Sequence, residues 1–351
     1  AEKMIVHIAN ALVEKGFSVD LVLAKAEGVF LDRVSTKVNV IDLNAPRVLF
    51  SLPGLVRYLK KNRPIVLIST LTHSNIVALW AKWFACVNTR VVIKHDSVSS
   101  GSSALWDYLV KYFYPYADAI VAVSKGVARY LAQVTGLPLE RFHIIYNPVL
   151  DTEDTMGSTE SFKHPWLLDK DIPVILAVGR LVKEKDFKTL IKAFAEFRKK
   201  QEARLIILGE GKMRGELEAL IKEMNIQEYV DLPGFVRDPL AYMKYASVFV
   251  STSLSEGFGN VIVEALASGT PVIATNCEGG PTEILENGKY GLLVSVGDVI
   301  GLCNALKKVL NDNELRRNMR ILGKKRAMDF TVSRIIEDYI ELISLVSLNG
   351  R

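Results

Sequence analysis

Twelve short runs rich in Val, Ile and Leu alternate with helical patterns from one end of the chain to the other. In the first half they are Phe17–Ala24, Val38–Leu43, Ile65–Thr70, Arg90–His95, Ala119–Ser124 and His143–Tyr146. In the second half they are Val174–Gly179, Arg204–Gly209, Val230–Leu232, Ser247–Ser251, Pro271–Thr275 and Leu292–Ser295. Most are apolar throughout, as expected when helices cover both faces of a parallel sheet. The alternation predicts an α/β fold built from doubly wound parallel sheets. At 351 residues and 49% hydrophobic content, the chain can fill two cores of ordinary domain size.

The expected division is an N-terminal domain over 1–150, a linker over 151–171, a second domain over 172–330 and a last helical segment over 331–351. The linker is polar and irregular, with Pro148, Gly157 and Pro165 in or beside it. The last segment has apolar positions at helical spacing and is expected to pack back on the first domain. A doubly wound domain opens with a strand, a glycine-rich turn and a helix. Here the helix pattern begins at once, at Glu2 to Leu12, so that first strand and turn are expected to be missing.

Several classes are set aside by composition and motif. No apolar run approaches the roughly 18 residues of a membrane span; the longest, Ile76 to Ile93, is broken by Lys82, Asn88 and Arg90. No signal-peptide pattern is visible, and Cys86, Cys277 and Cys303 are isolated, reading as core thiols of a reducing, cytoplasmic compartment. No Walker loop and no Gly-x-Ser-x-Gly elbow occur. Asp169-Lys-Asp171 precedes a strand instead of following one, which argues against a metal site. Ser124 reads as a helix cap.

Charge is uneven. Residues 1–150 hold 17 Lys+Arg against 10 Asp+Glu, while residues 151–351 hold 27 against 29. The basic front half fits an anionic surface or acceptor, or ordinary surface charge. Within it, Leu52 to Arg63 sets a leucine stripe opposite Arg57, Lys60, Lys61 and Arg63, which suits either an anionic bilayer or a helix covering a sheet. The aromatic stretch Trp106, Tyr108, Tyr112, Phe113, Tyr114, Tyr116 reads as core packing ahead of acceptor contact. No nucleic-acid partner is expected.

The chemistry concentrates in Ser255-Glu-Gly-Phe-Gly-Asn-Val-Ile-Val-Glu264, where seven residues separate Glu256 from Glu264. Glycines permit a tight loop, and a helix is expected from Asn260 to Ala267. Unpaired N–H groups at that helix start bind anions such as a diphosphate. The two carboxylates suit sugar hydroxyls, Glu264 a ribose and Glu256 a hexose. Upstream, Gly179-Arg180-Leu-Val-Lys-Glu-Lys185 follows the first strand of the second domain, at the carboxyl end where open α/β sheets bind ligands. Arg180 and Lys185 there can neutralise a diphosphate leaving group.

These features, with Leu208-Gly-Glu-Gly211, Leu232-Pro-Gly-Phe235 and Glu278-Gly-Gly-Pro-Thr-Glu283, resemble the family 4 retaining glycosyltransferases. The resemblance implies the GT-B fold, two Rossmann-like domains facing across a cleft. It implies transfer of a sugar from a nucleotide-diphosphate donor, a UDP-sugar, to a lipid-linked or surface oligosaccharide or polysaccharide. No cofactor and no metal are expected. By that resemblance Arg180 and Lys185 hold the diphosphate, and Gly259, Asn260 and Val261 give backbone N–H groups to the same phosphates. Glu264 holds the ribose, Glu256 the transferred sugar, and the Phe235-Val236 backbone lines the base pocket. His95, at a strand end, contacts the sugar near the reacting carbon. The implied location is the cytoplasm, with peripheral contact at the cytoplasmic face of an anionic membrane. Two alternatives share the motifs: a truncated or non-catalytic sugar-nucleotide-binding relative, and a GT-B sugar-nucleotide epimerase.

Overall fold

The computed structural model describes residues 2–98, 104–151, 164–169 and 171–348. The chain divides into two compact units: Ala1–Pro148 with Val332–Arg351, and Val149–Thr331.

Unit 1 holds β1 (Asp20–Leu23), β2 (Asn39–Asp42), β3 (Val66–Thr70), β4 (Arg90–His95), β5 (Ala119–Ala122) and β6 (Phe142–Ile144). β3 to β6 form a four-stranded parallel sheet in chain order, while β1 and β2 form a separate parallel pair. One edge of β1 and one edge of β3 therefore have no strand partner among the described residues. Its helices are α1 (Glu2–Glu14), α2 (Leu52–Asn62), α3 (Thr72–Ala85), α4 (Ala104–Phe113) and α5 (Lys125–Thr135). Ser124 caps α5 by accepting from Val127 N at 3.1 Å, satisfying one of the donors a helix start leaves open.

The helix at the end of the chain, Val332–Leu348, belongs to this unit. Its Ile335, Ile336 and Tyr339 share a core cluster with Ile8 and Leu12 of α1 and with Val92 and Val121 of the sheet. Burial of each such aliphatic side chain contributes about 1.5–3 kcal/mol. On the other flank, Leu55, Tyr58 and Leu59 of α2 pack against Val77, Ala81 and Ala85 of α3. The leucine stripe of α2 is thus occupied inside the protein, and Arg57, Lys60, Lys61 and Arg63 face solvent.

Unit 2 holds β7 (Val174–Val178), β8 (Arg204–Leu208), β9 (Val230–Gly234), β10 (Val248–Ser251), β11 (Val272–Thr275) and β12 (Leu292–Val294). They form one parallel sheet in the order β12-β11-β10-β7-β8-β9. The chain winds outward from β7 to β9, then returns past β7 and winds the other way from β10. The loops leaving β7 and β10 diverge to opposite faces of the sheet, which opens a crevice at their carboxyl ends. Ile175, Ala177, Leu190, Phe194, Leu205 and Ile207 form part of the core beneath it.

All twelve apolar runs contain strands, so the α/β, GT-B-type reading of the sequence holds. Most differences are at the ends, where strands stop short of the apolar run; β9 instead continues to Gly234. Much of the expected linker, including Gly157, lies outside the described residues. Its described part forms a short helix, Pro165–Leu168, tied to unit 2 by His164 Nε2 against Asp231 at 3.0 Å and Arg204 to Asp169 at 2.9 Å. Val149 N and Leu150 N donate to Phe330 O at 3.0 and 3.2 Å, so the chain enters and leaves unit 2 on paired segments. Cys277 and Cys303 are buried, but Cys86 is exposed, contrary to the expectation of three core thiols. Among the described residues no helix is long and apolar enough to cross a membrane.

Candidate active site

The crevice between β7 and β10 is spanned by an ion pair. After β7 the chain turns through Gly179 and Arg180 and ends the loop in a short 3-10 turn, Lys183–Lys185. After β10, buried Thr252 and Ser253 lead into Glu256. The ammonium of Lys185 contacts the Glu256 carboxylate, with side chains 21% and 13% exposed. Ser253 Oγ donates to the same carboxylate oxygen at 2.7 Å. Thr252 Oγ1 donates to Lys185 O at 2.9 Å, and Leu254 N to Glu184 O at 2.8 Å, so both loops are also fastened by their backbones.

Two glycine motifs hold these loops from behind. Leu181 N donates to Glu210 O at 2.8 Å and Met213 N to Leu181 O at 2.9 Å. A Cβ on Gly209 would stand 1.9 Å from Gly179 O, and one on Gly211 2.4 Å from Leu181 O. The Leu208–Gly211 motif is therefore a close backbone seat for the Arg180 loop. Gly279 and Gly280 do the same for the glutamate loop: added Cβ atoms would lie 1.5 Å from Glu256 O and 2.0 Å from Phe258 O. Glu256 N also donates to Glu278 O at 3.0 Å.

The loop then closes at Gly259, whose φ of 103° starts the helix Asn260–Ala267. This puts Asn260 and Val261 in the first turn and Glu264, partly exposed, in the second. First-turn N–H groups carry the partial positive charge of a helix tip. Phe258 points inward, edge-on to Phe330 with ring centroids 5.4 Å apart. Arg326 lies against the same Phe330 ring, 4.8 Å from its centroid. Its guanidinium donates to Ile284 O at 3.0 Å and Glu283 O at 2.9 Å and pairs with Asp329 at 2.8 Å. Arg326 and Phe330 thus join the turn after Gly280 to the floor of the glutamate loop. Cys277 is also buried nearby; burial, and then the charge of Glu256, push its thiol up to about 11, so it is an inert thiol at neutral pH.

The sequence-derived residues are distributed as follows. Lys185 and Glu256 are in contact. Arg180 is exposed on the same loop as Lys185, and its side chain makes no ion pair among the described residues. Gly259, Asn260, Val261 and Glu264 occupy the adjoining loop and helix start. Val236 is partly exposed just after β9, two strands from β7, beside an exposed Phe235.

His95 belongs to unit 1 and is 1% exposed at the end of β4. Its Nδ1 lies 3.0 Å from the Tyr114 hydroxyl, and its ring stacks with Tyr130 at 6.1 Å. Asn75 Nδ2 donates to the same Tyr114 hydroxyl at 3.0 Å and to Lys94 O at 2.9 Å. Burial, reinforced by Lys94, pushes the imidazole down to about 4 against the pull of Asp96 and Asp107. A neutral ring follows at physiological pH. Lys94 pairs with Asp96, which also accepts from Thr70 Oγ1 at 2.6 Å. Burial raises the Asp96 carboxyl, but Lys94 and Thr70 outweigh it and leave it below its ordinary value.

Sequence reasoning missed Ser253 and Thr252, although two hydroxyl residues directly after a buried strand were a usable signal. Phe330 and Arg326 gave none. The aromatic stretch was read too uniformly. Tyr108 and Tyr112 are exposed on α4, which can turn only one face to the core, and in the 3-10 turn that follows Tyr114 is buried and Tyr116 exposed.

Two α/β units in one chain, one of them a doubly wound parallel sheet whose switch point carries cations and acids, are the make-up of a GT-B-type glycosyltransferase. The comparisons agree. Residues 1–153 match the model for Glycosyltransferase Family 4, and residues 158–326 that for Glycosyl transferases group 1. The chain belongs to the family 4 glycosyltransferases.

One relative is N-acetylgalactosamine-N,N'-diacetylbacillosaminyl-diphospho-undecaprenol 4-alpha-N-acetylgalactosaminyltransferase of Campylobacter jejuni. It is 35% identical over 280 residues, 78% of this chain and 74% of its own. The lipopolysaccharide core biosynthesis glycosyltransferase LpsE of Rhizobium meliloti is 28% identical over 98% of this chain and 95% of its own. Among solved structures, Anabaena HepE in complex with UDP superposes with a TM-score of 0.78 at 22% identity, covering 98% of this chain and 95% of that one. A glycosyltransferase from Rickettsia africae gives 0.80 at 16%, covering 98% and 94%. The last two establish the fold.

Proposed function

We propose that this enzyme is a retaining glycosyltransferase that takes a UDP-sugar as donor and a lipid-linked oligosaccharide as acceptor. The observation that carries the donor half is the Lys185–Glu256 pair across the β7/β10 crevice. On donor binding, the diphosphate takes Lys185 as its counter-ion, together with Arg180 and the helix tip at Gly259, Asn260 and Val261. Glu256, released from Lys185 but still oriented by Ser253, accepts sugar hydroxyls, and Glu264 accepts those of the ribose. Phe235-Val236 backbone groups line the base.

Negative charge grows on the diphosphate as its bond to the sugar breaks. In the donor-bound state of this reading, two cations and a helix tip stand at the diphosphate before the bond breaks and stabilise that charge. The same groups supply the positive charge that a metal would otherwise provide, so the reading requires no metal. Retention follows if the acceptor hydroxyl approaches from the face the diphosphate leaves. His95, neutral and enclosed by Tyr114 and Tyr130, fits a role near the transferred sugar only as a hydrogen-bonding group, not as a charged one.

The lipid-linked acceptor rests on the Campylobacter relative, whose name specifies a diphospho-undecaprenol acceptor, and on the basic character of unit 1. The test is nucleotide release from a panel of UDP-, GDP- and ADP-sugars with and without a polyprenyl-diphosphate saccharide. We expect acceptor-dependent release from a UDP-sugar that survives EDTA, and an axial anomeric linkage in the product by NMR. An inverted anomer, or an epimeric sugar nucleotide formed with acceptor absent, rejects the mechanism; the second outcome identifies an epimerase.

A further inference from the structure

The face shared by α3 and α4 carries aromatic side chains that the core does not use. Trp83 and Phe84 close α3, stacked with centroids 5.7 Å apart, and are 71% and 56% exposed. On α4, Leu105, Tyr108 and Tyr112 form an exposed stripe at helical spacing, the two tyrosine rings 4.4 Å apart, and Tyr116 follows at 76% exposure. The helices are joined along their seam by Trp80 against Phe113 at 5.4 Å and His73 against Trp106 at 3.9 Å. Two helices joined by a packed aromatic seam thus each present an exposed aromatic pair. Exposed large apolar side chains gathered in this way mark interaction surfaces.

Charge selects the occupant. α3 contains no acidic residue, and the one acid of α4, Asp107, accepts from Tyr130 Oη at 2.8 Å. Lys111 is exposed on α4, and exposed Lys60, Lys61 and Arg63 end the helix packed on α3. Unit 1 holds 19 Lys+Arg against 13 Asp+Glu, a balance of +6; unit 2 holds 25 against 26, a balance of −1. Exposed rings with polar tips, in a unit of positive balance, match the headgroup–acyl boundary of an anionic bilayer. A two-fold pairing of this face with a second copy would instead bring its lysines toward each other.

We propose that the α3/α4 face, with Trp83, Phe84, Tyr108 and Tyr112 as its anchors, seats unit 1 on an anionic phospholipid bilayer. The proposal rests on the reading of a lipid-linked acceptor and names the surface that would bring the enzyme to it.

Three of the four tryptophans (Trp80, Trp83 and Trp106) lie on or beside this face, which provides an internal probe. The full chain is mixed with vesicles of phosphatidylcholine containing phosphatidylglycerol, and sedimentation and emission are read at low and high salt. We expect co-sedimentation and a blue shift with the mixed vesicles, both weaker with phosphatidylcholine alone. The double variants Trp83→Ser/Phe84→Ser and Tyr108→Ser/Tyr112→Ser should each reduce partitioning at least tenfold while melting at the wild-type temperature. UDP affinity should not change in either. Absence of wild-type binding to mixed vesicles at low salt overturns the proposal, as does undiminished binding by both variants. A wild-type dimer that these substitutions dissociate also overturns it and assigns the face to a second copy. Vesicle binding by a protein that uses no polyprenyl-linked acceptor sinks the acceptor reading alone.

Discussion

Lys94–Asp96 in unit 1 and Lys185–Glu256 in unit 2 are the same kind of pair in the same kind of place, the carboxyl end of a parallel sheet. Their surroundings differ. Lys94 is 2% exposed and its partner also receives Thr70, so the charges have no route to exchange partners. Lys185 and Glu256 are partly open to solvent, and their loops leave neighbouring strands on opposite faces of the sheet. The first pair is a brace. The second is, on the function proposed above, the seat of a ligand that carries both phosphates and hydroxyls.

Substitution should separate the two. The largest effect is expected for Lys94→Met, which strands Asp96 in the core and should cost about 3–5 kcal/mol of stability, read as a lowered melting temperature. Lys185→Ala or Glu256→Ala should leave melting nearly unchanged but cost about 3 kcal/mol in transition-state stabilisation, or ~100-fold in rate. Near wild-type turnover by either variant would break the comparison and the site assignment with it.

His95 supplies a pH test of the buried end. Its folded value, about 4, lies below the ordinary 6.5, so the unfolded chain binds more protons between those values. The stability it contributes is complete above pH 6.5 and is lost as pH falls toward 4, by up to about 3 kcal/mol. Lys94, Asp96 and Asp107 face it, and Asp96, with its lowered carboxyl, titrates below this window. His95→Gln should flatten the melting profile between pH 6.5 and 4; an unchanged slope would mean that the imidazole is not held neutral. The smallest effect is expected for Ser253→Ala. Loss of its bond to Glu256 should cost about 1 kcal/mol, seen as a rise in donor KM of several-fold with melting preserved.

Much of this was legible in the chain. Strands buried on both faces, such as Val91–Ile93 and Val174–Ala177, read as unbroken apolar runs, and their alternation with helices fixed the fold class. The glutamate loop was legible because glycine and acid recur within ten residues. What supports that loop was not. Phe258 meets Phe330, and Arg326 meets Glu283 and Ile284, across stretches of sequence that leave no local pattern. His95 shows the other gap, since a strand-end histidine reads alike in the chain whether or not a distant tyrosine hydroxyl holds its ring.

The order in which the two units become complete follows from the paired crossings at Val149–Leu150 and Phe330–Thr331. Unit 2 is one uninterrupted segment, whereas unit 1 needs Ile335, Ile336 and Tyr339 to cover Ile8 and Leu12. On the ribosome, the half that starts second therefore possesses all its residues first. The half that starts first waits with an open apolar seam until the final helix emerges. Truncation before residue 332 would thus spare the later-born half and leave the earlier one unsealed.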